Sequence, residues 1–136
     1  MEFSDVIKNR YSCKKFSSEQ IGKDKLDAIL EAGRVAPTAK NLQEQHIYVV
    51  QSESALETID KLTPCRYNAP TVLIVAYNKN NVFTYLGDKR NSGIEDATIV
   101  ATHLMLAAYN EGVDSCWINF FNPDELAKAF NLPEDE

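Results

Sequence analysis

Three side chains near the start of the chain are of the types that proteins use to hold a phosphate group. Arg10, Ser12 and Lys14 occupy alternate positions in the segment 10–16, directly after a short predicted helix. A guanidinium binds two phosphate oxygens at once, and an ammonium group adds a compact positive charge. The alternative is a solvated basic turn with Phe16 in the core, and charge taken alone favours that alternative.

A second segment, residues 36–43, places small and polar side chains between a predicted helix and a predicted strand. Thr38, Asn41 and Gln43 offer hydroxyl and amide groups that could bond to a polar heterocycle. Loops of this kind often carry function. The alternative is an ordinary connection stabilised by Asx-turn hydrogen bonds.

The third segment, residues 115–121, combines the only tryptophan with two phenylalanines close to Asn119. Aromatic groups beside a few polar ones suit a flat ligand. Taken in isolation, the pattern is more typical of a core strand.

Other catalytic patterns are absent from the sequence. His46 and His103 are the only histidines and lie in different predicted elements, so we predict no metal site. The five glycines stand at least six residues apart, which excludes glycine-rich turns of the kind that bind nucleotides. A nucleophilic pair of Cys116 with a histidine is geometrically possible, but a buried small hydrophobic residue is the better interpretation of Cys116.

Composition and charge predict one domain over residues 1–136. The 136 residues are 44% hydrophobic and carry a net charge of −6, which argues against general binding to nucleic acid or anionic membranes. The longest aliphatic run, residues 72–77, is too short to span a bilayer. Three widely spaced cysteines and the lack of a signal-peptide pattern favour a cytoplasmic protein. A chain of this mass would expose roughly 7,000 Å² when folded.

Hydrophobic periodicity predicts the elements that position these segments. It indicates a first helix ending near Asn9 and a second helix that begins at Lys23 and stops before Pro37. Residues 46–50 and 71–77 are typical of strands, with a short helix over 54–62 between them. The second strand is apolar on both faces, which is typical of a central strand.

A long apolar helix is predicted over about 92–111. Ser92 and Glu95 have the spacing of a capping box, and Gly112 is a suitable C-terminal residue. The apolar stripe is too wide for a surface helix, so we expect the helix in the core. Residues 115–121 then form a buried strand or extended segment, and Asn122 with Pro123 begins a last helix. This order predicts an α+β or α/β sandwich.

The same segments match a set of family motifs in fixed order. An R-R-S-x-R-x-F opening is similar to residues 10–16, and I-x-x-x-x-L-x-x-I-L-E-A-x-R-x-A-P-S-A-x-N-x-Q is similar to residues 21–43. An A-P strand, a G-x-x-D-A helix and a G-x-x-S-C-W-I segment are similar to residues 69–75, 93–97 and 112–118. The chain thereby resembles, over nearly its whole length, the nitroreductase family of flavin mononucleotide (FMN)-dependent NAD(P)H oxidoreductases.

The resemblance implies an α+β fold with a mixed or antiparallel central sheet flanked by helices. It also implies a domain-entwined homodimer, with the long helix at the interface and two flavin sites there. The residues expected to bind the cofactor are Arg10, Tyr11, Ser12 and Lys14 at the phosphate and ribityl chain, Pro37, Thr38, Ala39, Asn41 and Gln43 from the other subunit at the ring, and Trp117, Ile118 and Asn119 along its other side, offering a backbone N–H to flavin N5.

The implied activity is hydride transfer from NADH or NADPH through flavin N5 to a nitroaromatic, a quinone or a similar flat acceptor, by a ping-pong mechanism. The flavin carries out the redox chemistry, so no side chain is expected as a catalytic acid or base. Two alternatives stay open. One is a non-catalytic member that binds flavin or another small ligand, and the other is a thiol-based redox sensor that uses Cys13 or Cys116.

Three departures from the family pattern concern the site. Glu44 and Gln45 replace the usual Pro-Trp, and Tyr11 stands where a second basic residue is common. Family members continue past the Leu-Pro-Glu that this chain has at residues 132–134, adding a strand and a basic residue at the phosphate. We therefore expect this chain to lack the usual C-terminal segment.

Overall fold

A computed structural model describes residues 1–136 and contains five α-helices and two β-strands. The predicted α+β class is confirmed. Residues 115–121 form an extended segment rather than a strand, and their only pairing is a parallel bridge between Ser115 and Ser12. In chain order the elements are α1 (Phe3–Asn9), α2 (Lys23–Arg34), a 3-10 turn (Ala39–Asn41), β1 (Gln45–Val50), α3 (Glu53–Leu62), β2 (Val72–Tyr77), α4 (Gly93–Asn110) and α5 (Pro123–Ala129).

The sheet has two strands and is covered by helices on both faces. β1 and β2 pair antiparallel over their full length, with Gln45 opposite Tyr77. Successive side chains of β2 alternate, so Val75 packs with α2 and α4 while Ile74 packs with α3 and α5. The prediction that this strand is apolar on both faces is confirmed. The prediction that β2 is a central strand is wrong within this chain. Residues 115–121 add no further strand, and β2 pairs only with β1.

α4 is the central element of the larger core. Val100, Leu104 and Ala108 are buried at four-residue spacing in one cluster with Ile29 of α2. Gly33 permits this close packing, since a Cβ there would lie 2.8 Å from Leu104 Cδ2. Much of the rest of α4 is only half-buried, and the chain exposes 8874 Å², more than the roughly 7,000 Å² expected. Neither α4 nor any shorter helix has the length and apolar composition needed to cross a bilayer.

The start of α4 does not form the predicted capping box. The Ser92 hydroxyl accepts the N–H of Phe83 at 3.1 Å, and the Glu95 carboxylate accepts the Tyr85 hydroxyl at 2.8 Å. Both side chains are therefore occupied by the preceding loop. Ser92 also has φ −85° and ψ 0°, helical angles instead of the extended backbone of an N-cap residue. The capping-box prediction was wrong for this reason.

The end of α4 and the start of α5 follow the signals in the sequence. Gly112 has φ 76°, and the Val113 N–H donates to the Ala108 carbonyl at 2.8 Å, which closes the helix in a Schellman arrangement. The Asn122 side chain accepts two backbone N–H groups at the start of α5, and Pro123 occupies the first helical position. Both predicted boundaries are confirmed.

Candidate functional site

The fold brings two of the three predicted segments side by side. The Cys13 N–H donates to the Ser115 carbonyl at 2.9 Å, within the bridge between residues 12 and 115. Nearby, the Tyr11 hydroxyl donates to the Asp114 carboxylate at 3.0 Å, and this hydrogen bond raises the pKa of Tyr11. Segments 10–16 and 114–119 therefore adjoin each other just past the C-terminal end of α4. We call the group formed by Arg10, Ser12, Lys14, Trp117, Ile118 and Asn119 the basic site.

Arg10 supplies a buried donor that has no partner inside the chain. Its Nε is buried without an acceptor, and a terminal nitrogen reaches only the Ser12 hydroxyl, at 3.4 Å. Buried polar groups are nearly always paired in folded proteins, so this nitrogen indicates an acceptor that the chain does not provide. Lys14 and Arg10 both lie near Cys116: burial, the largest effect, raises the pKa of that thiol, and the two cations partly oppose the rise.

Backbone donors without acceptors lie next to these cations. The N–H groups of Trp117, Ile118 and Asn119 make no hydrogen bond within the chain. The indole of Trp117 donates to the Asn119 side-chain oxygen at 2.9 Å, and Trp117 is 39% exposed. An accessible aromatic ring beside free N–H groups suits a flat heterocycle that carries hydrogen-bond acceptors.

The remaining predicted segment, residues 37–43, is called the 37–43 loop and has a strained backbone. Lys40, Asn41 and Gln43 have φ values of 56°, 54° and 50°, in the left-handed region that favours glycine. The Thr38 hydroxyl accepts the Gln43 N–H at 2.9 Å and closes the loop on itself. Strain of this kind persists only where the surrounding structure maintains it, and it concentrates at functional sites. Of the predicted ligands here, Pro37, Asn41 and Gln43 are exposed, and Thr38 and Ala39 are half-buried.

The 37–43 loop and the basic site lie at opposite ends of α4. The Ala39 N–H donates to Asp96 in the first turn of the helix at 3.0 Å, whereas Ser115 follows its last turn. With a rise of 1.5 Å per residue, about 22 Å of helix separates Asp96 from Glu111. No hydrogen bond joins the loop to the basic site within one chain. The structure thus unites the first and third predicted segments and leaves the second apart.

A buried carboxyl pair beneath the loop was not among the residues predicted from the sequence. Glu44 is 3% exposed and Asp96 is 2% exposed. Burial, and after it the neighbouring Asp96 carboxyl, raises the pKa of Glu44 to about 7. Burial also disfavours the charge of Asp96, but donors from Ser92, the Ala39 backbone and Glu44 outweigh burial and lower the Asp96 pKa. The raised pKa of Glu44 and the lowered pKa of Asp96 favour a proton on Glu44 and a negative charge on Asp96.

The two cysteines considered for redox chemistry are both at least partly buried. Cys13 is buried, and its Sγ donates to the Lys15 carbonyl at 3.2 Å. Burial raises the pKa of Cys116. Since the thiolate is the reactive form, these surroundings give no support to the thiol-sensor alternative.

The fold and the basic site together define an α+β protein with an anion-binding corner beside accessible aromatic and backbone groups. The profile described as "Nitroreductase family" matches residues 7–68 and 61–136. The chain therefore belongs to the nitroreductase family.

Similar proteins of known structure or name agree with this membership. A crystal structure of a nitroreductase family protein from Clostridium difficile 630 is 34% identical, with a TM-score of 0.94, and the match covers 99% of this chain and 78% of that one. An FMN-dependent nitroreductase from Clostridium difficile R20291 is 26% identical, with a TM-score of 0.83 and coverage of 97% and 80%. The Bacillus subtilis strain 168 protein named "Putative NAD(P)H nitroreductase YodC" is 28% identical, over 96% of this chain and 82% of its own.

Proposed function

We propose that the protein is an FMN-dependent oxidoreductase that uses NADH or NADPH to reduce a nitroaromatic, a quinone or a similar flat acceptor by a ping-pong mechanism. The observation that carries the proposal is the buried, unpaired Nε of Arg10 in the basic site. The names of the Clostridium difficile R20291 and Bacillus subtilis relatives support the same cofactor and donor.

The residues of the basic site fit an FMN molecule. A phosphate would accept from the Arg10 guanidinium and the Ser12 hydroxyl, and Lys14 would add charge. The free N–H groups of residues 117–119 would border the ring, one of them toward N5. When bound, FMN supplies the redox chemistry by accepting hydride from NAD(P)H and passing it to the acceptor. The chain positions the cofactor, and no side chain is assigned as a proton donor or acceptor.

The proposed enzyme is a homodimer whose second subunit completes each site. Because α4 keeps the 37–43 loop about 22 Å from the basic site, one chain does not supply both to a single ligand. The accessible surface of 8874 Å² also exceeds by about 1,900 Å² the roughly 7,000 Å² typical of a 15.3 kDa monomer. An excess of this size is within the range that one subunit buries in an obligate dimer. Exposed apolar residues such as Phe3 (68%) and Ile94 (73%) fit such a contact.

The test of cofactor and assembly starts from the purified protein and added FMN. Oxidised-flavin absorbance that stays with the protein through gel filtration, one FMN per chain and a dimeric mass are expected. Bleaching of that absorbance by NADH or NADPH without oxygen, followed by recovery with a quinone, would support turnover. A protein that stays colourless with excess FMN would refute the proposal. FMN binding without NAD(P)H oxidation would favour the non-catalytic alternative.

The role of Arg10 is tested by a matched pair of arginine substitutions. Arg10→Ala removes a charged donor, and hydrogen bonds to charged groups contribute about 1.5–3 kcal/mol, so FMN should bind about 10- to 100-fold more weakly. Arg90→Ala is the control, because Arg90 is exposed and outside the basic site. Both dissociation constants are measured by quenching of flavin fluorescence. Equal affinity in the two variants would contradict the assignment of Arg10.

A further inference from the structure

The carboxyl pair of Glu44 and Asp96 is buried, and its polar atoms are incompletely paired. Asp96 Oδ1 accepts the Ala39 N–H at 3.0 Å. Both carboxyl oxygens of Glu44 and Asp96 Oδ2 are buried without a donor from any other residue. Buried carboxyl oxygens in this state are costly unless the two groups satisfy each other. A single proton between Glu44 and Asp96 would pair one oxygen of each group and would leave the second Glu44 oxygen without a donor.

No basic side chain of the same chain acts on the pKa of Glu44. Burial and Asp96 cause the rise of that pKa. From the start of α4, the Ser92 hydroxyl interacts with Asp96. The Glu95 carboxylate accepts a hydrogen bond from the Tyr85 hydroxyl instead. The segment after β2 contributes uncharged donors: the Asn78 N–H donates to the Glu44 carbonyl at 2.9 Å, and the Asn81 amide donates to the Leu42 carbonyl at 3.2 Å. In the loop itself the one cationic side chain, that of Lys40, is exposed.

The geometry links this pair directly to the strained backbone above it. Ala39 lies in the 3-10 turn that contains left-handed Lys40, and Glu44 follows left-handed Gln43. Asp96 thus anchors the start of the turn, and Glu44 is the residue that directly follows the 37–43 loop. The carboxyl pair therefore links the two ends of the strained stretch, with Asp96 on the first turn of α4 and Glu44 directly before β1.

We propose that Glu44 and Asp96 share one proton, and that this protonated pair is the positioning element that holds the 37–43 loop in its strained conformation for cofactor binding. The cofactor part of this inference rests on the proposed function, whereas the anchoring of the loop does not. Loss of the proton places two negative charges side by side in a buried position, and their repulsion separates Glu44 from Asp96. The loop is then released.

The direction of the pH effect follows from the acid that holds the proton. An acid whose pKa is raised by folding favours the folded arrangement at low pH, and the benefit is lost as the pH rises through the raised value. For Glu44 that value is about 7. The loop is therefore anchored in mildly acidic solution and released in mildly alkaline solution.

The experiment compares the wild-type protein with Glu44→Gln, whose amide N–H donates to Asp96 at every pH. Glu57→Gln is the control, since Glu57 is an exposed glutamate on α3. Hydrogen exchange of the loop amides without FMN is followed between about pH 5.5 and about pH 8.5, corrected for intrinsic exchange. Wild type and Glu57→Gln should lose protection at Ala39 by about tenfold or more above pH 7, and Glu44→Gln should keep it. Equal pH profiles in wild type and Glu44→Gln would overturn the proposal.

Cofactor affinity provides the readout that a purely structural role would not change. The ratio of the FMN dissociation constants of wild type and Glu44→Gln should rise by about tenfold from about pH 5.5 to about pH 8.5. Because FMN is the same in both titrations, ionisation of its own phosphate cancels in this ratio. A constant ratio would reject the link to the cofactor. If neither protein binds FMN, the proposed function fails, and the exchange experiment alone decides on the pair.

A second variant, an infrared measurement and an added cation test the shared proton independently of the Glu44→Gln exchange data. Asp96→Asn removes the ionised acceptor of the Ala39 N–H and should lower its protection at both pH values. The infrared C=O stretch of a protonated carboxyl should be present at about pH 6 in wild type and absent in Glu44→Gln. Calcium that restores loop protection at high pH in wild type, but not in Glu44→Gln, would mean that a cation joins two ionised carboxylates. That outcome would support the proposal, because the cation would replace at high pH the contact that the lost proton had provided.

Discussion

Replacing Gly93 with alanine tests the packing of β2 against α4 at the base of the 37–43 loop. Gly93 is buried at the first position of α4, one turn before Asp96. An ideal Cβ at this position would lie 2.2 Å from Tyr77 Cε2 and 2.5 Å from Tyr77 Cζ. The tyrosine ring, at the end of β2, occupies the space that any side chain at residue 93 would need.

The magnitude follows from the size of this overlap. Carbon atoms in contact are separated by about 3.5 Å, so either the ring or the helix start must move by about 1.3 Å. Overpacking of this kind typically costs about 1–3 kcal/mol. Alanine gains at most about 1 kcal/mol over glycine in a helix interior, and less at the first position. We therefore expect Gly93→Ala to lower the free energy of unfolding by about 1–2 kcal/mol.

Urea denaturation of four variants isolates the contact with Tyr77. Gly22→Ala is the control for the added methyl group. Gly22 is the N-cap residue of α2, and no atom lies within 4 Å of an ideal Cβ at this position. Alanine is a poorer N-cap residue than glycine, so Gly22→Ala should cost at most about 1 kcal/mol, and that cost should not depend on Tyr77. In a Tyr77→Ala background, Gly93→Ala should cost nothing, which the double-mutant cycle reports as coupling of more than about 1 kcal/mol. The same cost in both backgrounds would refute the steric explanation.

Two further predictions concern pH and a helix cap. The free energy of unfolding should fall as the pH rises from about 5 to about 8, because the pKa of Glu44 is about 7 in the fold against an ordinary 4.5. That difference in pKa corresponds to at most about 3 kcal/mol of unfolding free energy. Urea titrations of Glu44→Gln should show no such dependence of stability on pH. A flat pH profile in the wild-type protein would count against the raised pKa. Below about pH 4, the lowered pKa of Asp96 acts in the opposite direction. Asn122→Ala removes the acceptor for two N–H groups at the start of α5 and should cost about 1 kcal/mol in thermal unfolding; unchanged stability would argue against the cap.

Features that depend on local spacing were predictable from the sequence. The apolar positions of α2 and the proline after it predict the helix that the structure has at Lys23–Arg34. Gly112 and Asn122 act through neighbours within a few residues, so their roles as helix boundaries follow from residue type. The alternating packing of Val75 and Ile74 is likewise implied by an apolar run of strand length.

Features that depend on distant contacts were not predictable in this way. Ser92 and Glu95 have the spacing of a capping box. Their side-chain oxygens instead accept hydrogen bonds from Phe83 and Tyr85 in the preceding loop. Glu44 and Asp96 are far apart in sequence, and nothing local indicates that both are buried. The available signal was Glu44 itself, an acid where the family pattern has proline.

That substitution and the backbone of the 37–43 loop belong to one arrangement. A proline at position 44 would drive residue 43 toward extended backbone, whereas Gln43 here has φ 50° and donates its N–H to Thr38. Glu44 therefore permits the left-handed closure of the loop and also supplies the second carboxyl beneath it. Asp96 alone, held by Ser92 and the Ala39 N–H, would anchor the loop as a simple ionised acceptor at any pH above its own titration. The anchoring of the loop depends on pH only when Glu44 is present beside Asp96. We therefore expect this pH dependence in proteins of this fold that have an acid at position 44, and not in those that have proline there.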